Sequence, residues 1–235
     1  MQNFEQMVKD VRNKYSFIPS LKGKKVLNNI FIISQLATKG ESSCWDLALD
    51  YIKTVRAKDY SNWCADPHAK SIIYHERQNV NGVLYKSLKF LVQKHYVEKE
   101  DSRYSLTLKG IFLAFMLNPE TLRNCAPRIL NIPNSKIQEI AKKSNVLPVT
   151  PKTGALTGFR VFLQNLHENP LAYKFIRSVL EVFLEQIVVK YKMNLDEISE
   201  ETFESLMHNE LKKLIVKYYK KYGVEVEDEK DLTKT

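Results

Sequence analysis

The sequence predicts a mainly α-helical fold broken by one β-hairpin, and three observations carry that expectation. The chain has only 7 Gly and 8 Pro in 235 residues, too little turn chemistry for an all-β architecture. Apolar residues recur at spacings of three and four through most of its length. Only around residues 95–106 does the pattern change to short extended segments flanking a polar turn. Hydrophobic residues at 44% and charged residues at 27% suit a packed core rather than wholesale disorder.

Phe4, Met7, Val8 and Val11 stand at helical spacing, so a short helix is expected within an N-terminal segment 1–20. After the basic turn Leu21-Lys22-Gly23-Lys24-Lys25, residues Val26, Leu27, Ile30, Phe31, Ile33 and Leu36 form a broad apolar face that stops at Lys39-Gly40. Ser42 or Ser43 then caps a helix holding Trp45, Leu47, Leu49, Tyr51, Ile52 and Val55, with Asp46 in its first turn. Residues 57–66 read as a polar and aromatic loop. Asp66-Pro67 reads as an N-cap followed by proline at the first helical position, opening a short helix through Ile72, Ile73 and Tyr74.

The next stretch is the most informative. Asn79 or Asn81 can cap a helix whose apolar positions are Val83, Leu84, Leu88, Leu91 and Val92. His95-Tyr96-Val97 begins an extended segment, Glu98 to Ser102 is a polar turn, and Arg103-Tyr104-Ser105-Leu106 alternates as a second strand. Thr107 caps a helix from Leu108 to Leu117, stopped by Asn118-Pro119. Helix, hairpin, helix is the order of a winged helix. A winged helix-turn-helix domain is therefore expected at about 21–120.

Beyond it, Asn134 or Ser135 caps a short helix to Lys143. Residues 144–158 hold two Pro and two Gly, so 121–158 reads as a connecting helix and linker. A C-terminal helical domain for dimerisation or partner binding is expected over 159–223. It comprises Phe159 to His167, a long helix from Asn169-Pro170 to Lys192, and a helix capped by Ser199 with Phe203, Met207, Leu211, Leu214 and Tyr218 on one stripe. Residues 224–235 are expected to be an acidic flexible tail.

Net charge is +9, and its distribution is informative. Residues 1–120 carry 18 Lys/Arg against 12 Asp/Glu, and residues 121–223 carry 16 against 10. Both halves of the body are basic, which favours a polyanionic partner such as nucleic acid. No apolar run approaches the length of a bilayer span, and MQNFEQMVKD lacks the features of a signal peptide. Three widely spaced cysteines, Cys44, Cys64 and Cys125, fit free thiols in a reducing compartment. A cytoplasmic protein is expected.

The run from Gly82 to Leu91 (GVLYKSLKFL), then His95-Tyr96-Val97-Glu98, then Arg103 to Gly110 (RYSLTLKG) resembles winged-helix transcription regulators. PadR-like proteins are the nearest match and MarR-like ones the next. The likeness covers residues 79–117 strongly and 26–117 loosely. This chain departs from the pattern with His95 where glycine is usual, a longer segment between Val55 and Asn79, and Glu98, Glu100 and Asp101 in the wing. The resemblance implies a homodimer on double-stranded DNA, with the long C-terminal helices suited to the dimer contact.

In such a protein the helix after Gln78 lies in the major groove. The expected DNA contacts are Arg77, Gln78, Asn79, Asn81, Tyr85, Lys86 and Lys89, with Arg103 at the flank of the wing. Asparagine pairs with adenine, and lysine reaches guanine or neutralises phosphate. A second basic stretch, Lys212, Lys213, Lys217, Lys220 and Lys221 among Tyr218, Tyr219 and Tyr222, is either a polyanion surface or a solvated helix end. Cys64, His68, His75 and Cys44 show no recognised zinc spacing, so neither metal nor cofactor is expected. No phosphate-cradling glycine loop, nucleophile elbow or HExxH motif is present, and no enzyme activity is expected. The rival reading is a winged-helix protein-interaction module without DNA contact. A ligand-gated sensor with a C-terminal pocket is a third.

Overall fold

The computed structural model describes residues 2–23, 25–121, 177, 180–203, 205–207, 209–210 and 213. The expected helix to Lys143, the linker 144–158, Phe159 to His167, residues 170–176 and 178–179 of the 170–192 helix, the basic stretch apart from Lys213, and the acidic tail lie outside them.

The described chain is mainly helical with a small antiparallel sheet. Its elements are α1 (Gln2–Lys14), α2 (Val26–Lys39), β1 (Ser42–Ser43), α3 (Cys44–Val55), α4 (Ala57–Cys64), α5 (Ala69–Gln93), β2 (Val97–Glu100), β3 (Arg103–Leu106) and α6 (Leu108–Leu117). Helical turns follow at Leu184–Val189 and Leu195–Glu197. Among the described residues no helix is long and apolar enough to cross a membrane.

The local signals at the helix ends do what their chemistry requires. Gly40, at a φ of 81°, ends α2 with its N–H on Leu36 O. Ser43 is the cap of α3: its Oγ accepts from Asp46 N at 3.1 Å, and the Asp46 carboxylate accepts from the same hydroxyl. Thr107 caps α6 through Gly110 N and donates its own hydroxyl to His95 O at 2.6 Å. Ser199 Oγ accepts from Thr202 N.

Two expectations fail between Val55 and Gln93. Residues 57–64 fold as α4 rather than a loop. That helix buries no residue fully, so its sequence carries no apolar stripe; Tyr60 and Trp63 merely lean on the core. The second correction matters more. A single 25-residue helix, α5, replaces the short helix and the Asn-capped one. Asn79 and Asn81 lie in its interior, two to three turns past its start, and cap nothing. His68 holds the N-cap position without a side-chain bond, while Asp66 Oδ1 accepts from His68 N in the turn before it. The first turns of α5 are held by α3: Tyr74 packs edge-on against Trp45 at 5.7 Å, and Arg77 stacks on that indole at 4.2 Å.

The strands order as β1-β3-β2, all antiparallel. Glu100 opposite Arg103 leaves Asp101-Ser102 as a two-residue turn, with Asp101 at a φ of 53°. β1 pairs Ser42 with Tyr104 and Ser43 with Arg103. Two residues are too few to show an alternating pattern, so β1 has no signature in the sequence.

His95 stands just past α5 at a φ of 57°, the left-handed region. Its N–H reaches Val92 O, and Tyr96 N–H reaches Leu91 O, so the helix ends in a Schellman motif. Glycine is the usual residue there because a side chain is strained in that conformation. His95→Gly is expected to stabilise the chain by about 0.5–1 kcal/mol, raising Tm by a few degrees in a thermal melt. An unchanged or lowered Tm contradicts this.

One hydrophobic core joins these elements, and α6 is its axis. All ten residues of α6 are buried, Lys109 included. Phe112 meets Phe183 and Phe203 at 5.3 Å each, and those two rings meet at 6.0 Å. Val8, Val11 and Tyr15 of the α1 region pack into the same core. A cavity of about 580 Å³ lies among Val11, Phe115, Leu117 and Leu184, where Lys14 pairs with Glu185 at 3.1 Å.

A buried polar cluster fastens the C-terminal segment to this body. Asp196 accepts from Ser20 N at 2.7 Å, Ser20 Oγ at 2.6 Å and Tyr96 Oη at 2.8 Å. Asn29 Nδ2 donates to Ser20 O. Lys109 Nζ donates to Lys94 O and Ile198 O, both at 2.7 Å, and lies 4.5 Å from the Tyr96 ring centre. Burial pushes Lys109 down to about 8, against the opposing pull of Asp196 and Glu200. Burial, then the Asp196 charge, pushes the Tyr96 phenol up.

Candidate nucleic-acid interface

Helix α5 has two unlike sides. Val80, Leu84, Ser87, Leu88 and Leu91 are buried against the rest of the domain. Lys70, Ser71, Tyr74, His75, Gln78, Asn79, Gly82, Val83, Tyr85, Lys86, Lys89 and Gln93 are exposed. Every exposed residue of α5 is therefore neutral or basic. Its one acid, Glu76, is half-buried and bound to Arg56 at 2.7 Å.

The residues expected at DNA divide by this geometry. Gln78, Asn79, Tyr85, Lys86 and Lys89 are on the open side, with Tyr85 52% exposed. Lys86 and Lys89 form no ion pair among the described residues. Arg77 turns the other way: Nε donates to Trp45 O at 2.9 Å, and Nη2 sits 3.2 Å from Asp46 Oδ1. Its guanidinium serves the α3–α5 contact. Asn81 also faces α3. Its Oδ1 is buried without a hydrogen-bond partner among the described residues, and its carbonyl accepts from Cys44 Sγ at 3.5 Å. Burial pushes that thiol up to about 11, which keeps it an inert donor.

Val83 was expected in the core, yet it is 52% exposed, and Val80 takes the buried position. A helix that starts at Asn79 leaves Val80 out of its apolar face. Counting Val80, Leu84, Leu88 and Leu91 as one face turns Val83 outward.

The hairpin differs in character from the helix. Glu98, Lys99, Glu100, Asp101, Ser102 and Arg103 are all exposed. Arg103 pairs with Glu41 at 3.4 Å, and Lys99 leans over the Tyr104 ring. The tip is acidic, so it repels a phosphate backbone while the α5 side attracts one. The flanking helix α3 presents Asp46, already engaged by Arg77 and Ser43. Among the described residues no group of three His, Cys, Asp or Glu side chains is placed to hold a metal ion.

No protein-family model matches the chain, and no curated protein or solved structure is significantly similar to it.

Proposed function

We propose that residues 21–120 form a winged helix-turn-helix domain of PadR-like or MarR-like type that reads duplex DNA and regulates transcription. Helix α5 is the recognition helix, β2–β3 the wing, and α6 the exit helix toward a C-terminal dimerisation region. The element order from α2 to α6 and the strand order β1-β3-β2 support the fold assignment. The observation that carries the function is the open side of α5, with Lys86 and Lys89 exposed and no exposed acid. Helix-lined basic surfaces of this kind gain affinity by releasing counterions from phosphate.

As a homodimer the protein places two copies of α5 in successive major grooves, roughly 34 Å apart, and the linked half-sites strengthen binding. The acidic tip of the hairpin stands away from the backbone, so contact falls on α5 alone.

Fluorescence anisotropy with a labelled random-sequence duplex tests this reading. Binding is expected at about 50 mM salt and to weaken by at least roughly tenfold at about 200 mM. Lys86→Ala with Lys89→Ala should reduce the slope of log affinity against log salt by about 2 for each chain engaged. No binding at low salt, or a double variant indistinguishable from wild type, overturns the DNA reading and leaves a protein-docking module in its place.

A further inference from the structure

The open side of α5 contains a glycine that the fold does not require. Gly82 lies in a helix interior, where glycine is weaker than alanine. Its φ is not in the left-handed region, where Gly23 and Gly40 fall. A Cβ placed on it meets nothing within 4 Å. Neither backbone conformation nor packing among the described residues accounts for the missing side chain. What a glycine leaves at such a place is room for another body to approach the helix closely.

Gly82 stands in a stripe with Asn79, Val83 and Lys86, at the spacing i, i+3, i+4, i+7 that aligns residues along one side of a helix. All four are exposed. Asparagine pairs with the N6 and N7 of adenine, and a branched apolar side chain meets the thymine methyl group. Both are major-groove features of A·T pairs. Arg77, the arginine of this helix and the residue best suited to guanine, is held by Trp45 and Asp46.

We propose that Asn79, Gly82 and Val83 form a reading edge for adjacent A·T pairs, with Gly82 the point where the helix comes closest to the base edges. Lys86 and Lys89 set the register from the phosphates. The inference rests on the duplex-DNA reading above and names the base composition that reading leaves open. The absence of any exposed acid on α5 is what commits the stripe to a polyanion.

Selection from a randomised duplex pool by the full chain, followed by sequencing, tests it. Wild type is expected to enrich sites containing adjacent A·T pairs. Asn79→Ala should lose the adenine preference and Val83→Ala the neighbouring thymine preference, each by roughly tenfold. Gly82→Ala should raise Tm yet weaken binding to the selected site by roughly tenfold. A folding defect cannot produce that pair of changes. The proposal is overturned if both single variants select the wild-type motif, or if Gly82→Ala binds the selected site as tightly as wild type. With unselected binding intact, either result leaves the broader DNA reading standing. Loss of all low-salt binding in wild type removes both.

Discussion

Gly110→Ala is expected to destabilise the chain by about 4 kcal/mol or more, a large share of the stability of an ordinary domain. A Cβ on Gly110 falls 1.9 Å from Tyr96 O, 3.0 Å from Tyr96 C and 3.2 Å from Leu106 Cδ2. The first two atoms are backbone, so no rotamer change relieves the clash. Helix α6 has to move away, and its first turn is where it is anchored. Thr107 N donates to Tyr96 O at 3.2 Å, Thr107 Oγ1 to His95 O, and Lys109 Nζ to Lys94 O. Because α6 is buried along its whole length, a shift there disturbs the core on every side. Urea denaturation reads the loss as a lower midpoint at constant slope. Gly82→Ala is the internal control, expected to stabilise by about 0.5–1 kcal/mol. The same change of atoms in two helices gives opposite signs, since one glycine is wedged and the other faces open space. A loss below about 1 kcal/mol at Gly110 means that Tyr96 yields, and the argument fails.

That contrast also shows what the sequence makes legible. The caps at Ser43, Thr107 and Ser199 were readable because a hydroxyl three residues before an amide is a local relation. The hairpin was readable from its alternation. Gly110 was visible as part of RYSLTLKG, but its reason, the approach of Tyr96 O, belongs to the tertiary structure. The start of α5 was misread because asparagine is a good N-cap, and two of them stood before an apolar run. What carries the helix through them is the packing of Tyr74 and Arg77 on Trp45, thirty residues away in sequence. The error propagated to the candidate interface. It placed Arg77 and Asn81 outside and Val83 inside, and the helix geometry reverses all three. Gln78, Asn79, Tyr85, Lys86 and Lys89 kept their places, since a face defined by the last four turns does not depend on where the helix begins.

The least legible feature carries the second large effect: Asp196→Ala is expected to destabilise by about 3–5 kcal/mol. Asp196 and Ser20 are 176 positions apart, so no spacing rule connects them. Removing the carboxylate strands Ser20 N–H, Ser20 O–H and Tyr96 O–H in a region sealed from water. It also removes the anion that helps a wholly buried Lys109 keep its charge. Each stranded donor and the uncompensated ammonium add to the penalty. Asp196→Asn should lose less, about 2 kcal/mol, because the remaining amide oxygen still accepts from one or two of the three donors. The ordering Ala worse than Asn, in denaturant titrations followed by tyrosine and tryptophan fluorescence, separates a hydrogen-bonding role from simple packing. The shape of the transition adds a second reading. Ser20 precedes α2, Tyr96 opens the hairpin and Asp196 belongs to the C-terminal segment, so the carboxylate ties three distant parts of the chain together. If the tie is as tight as its distances imply, the Ala variant unfolds in one step at a lower midpoint. If the segment around Asp196 instead detaches alone, an early phase appears while the Tm of the main transition stays near wild type. That result limits Asp196 to local anchoring and overturns the larger figure.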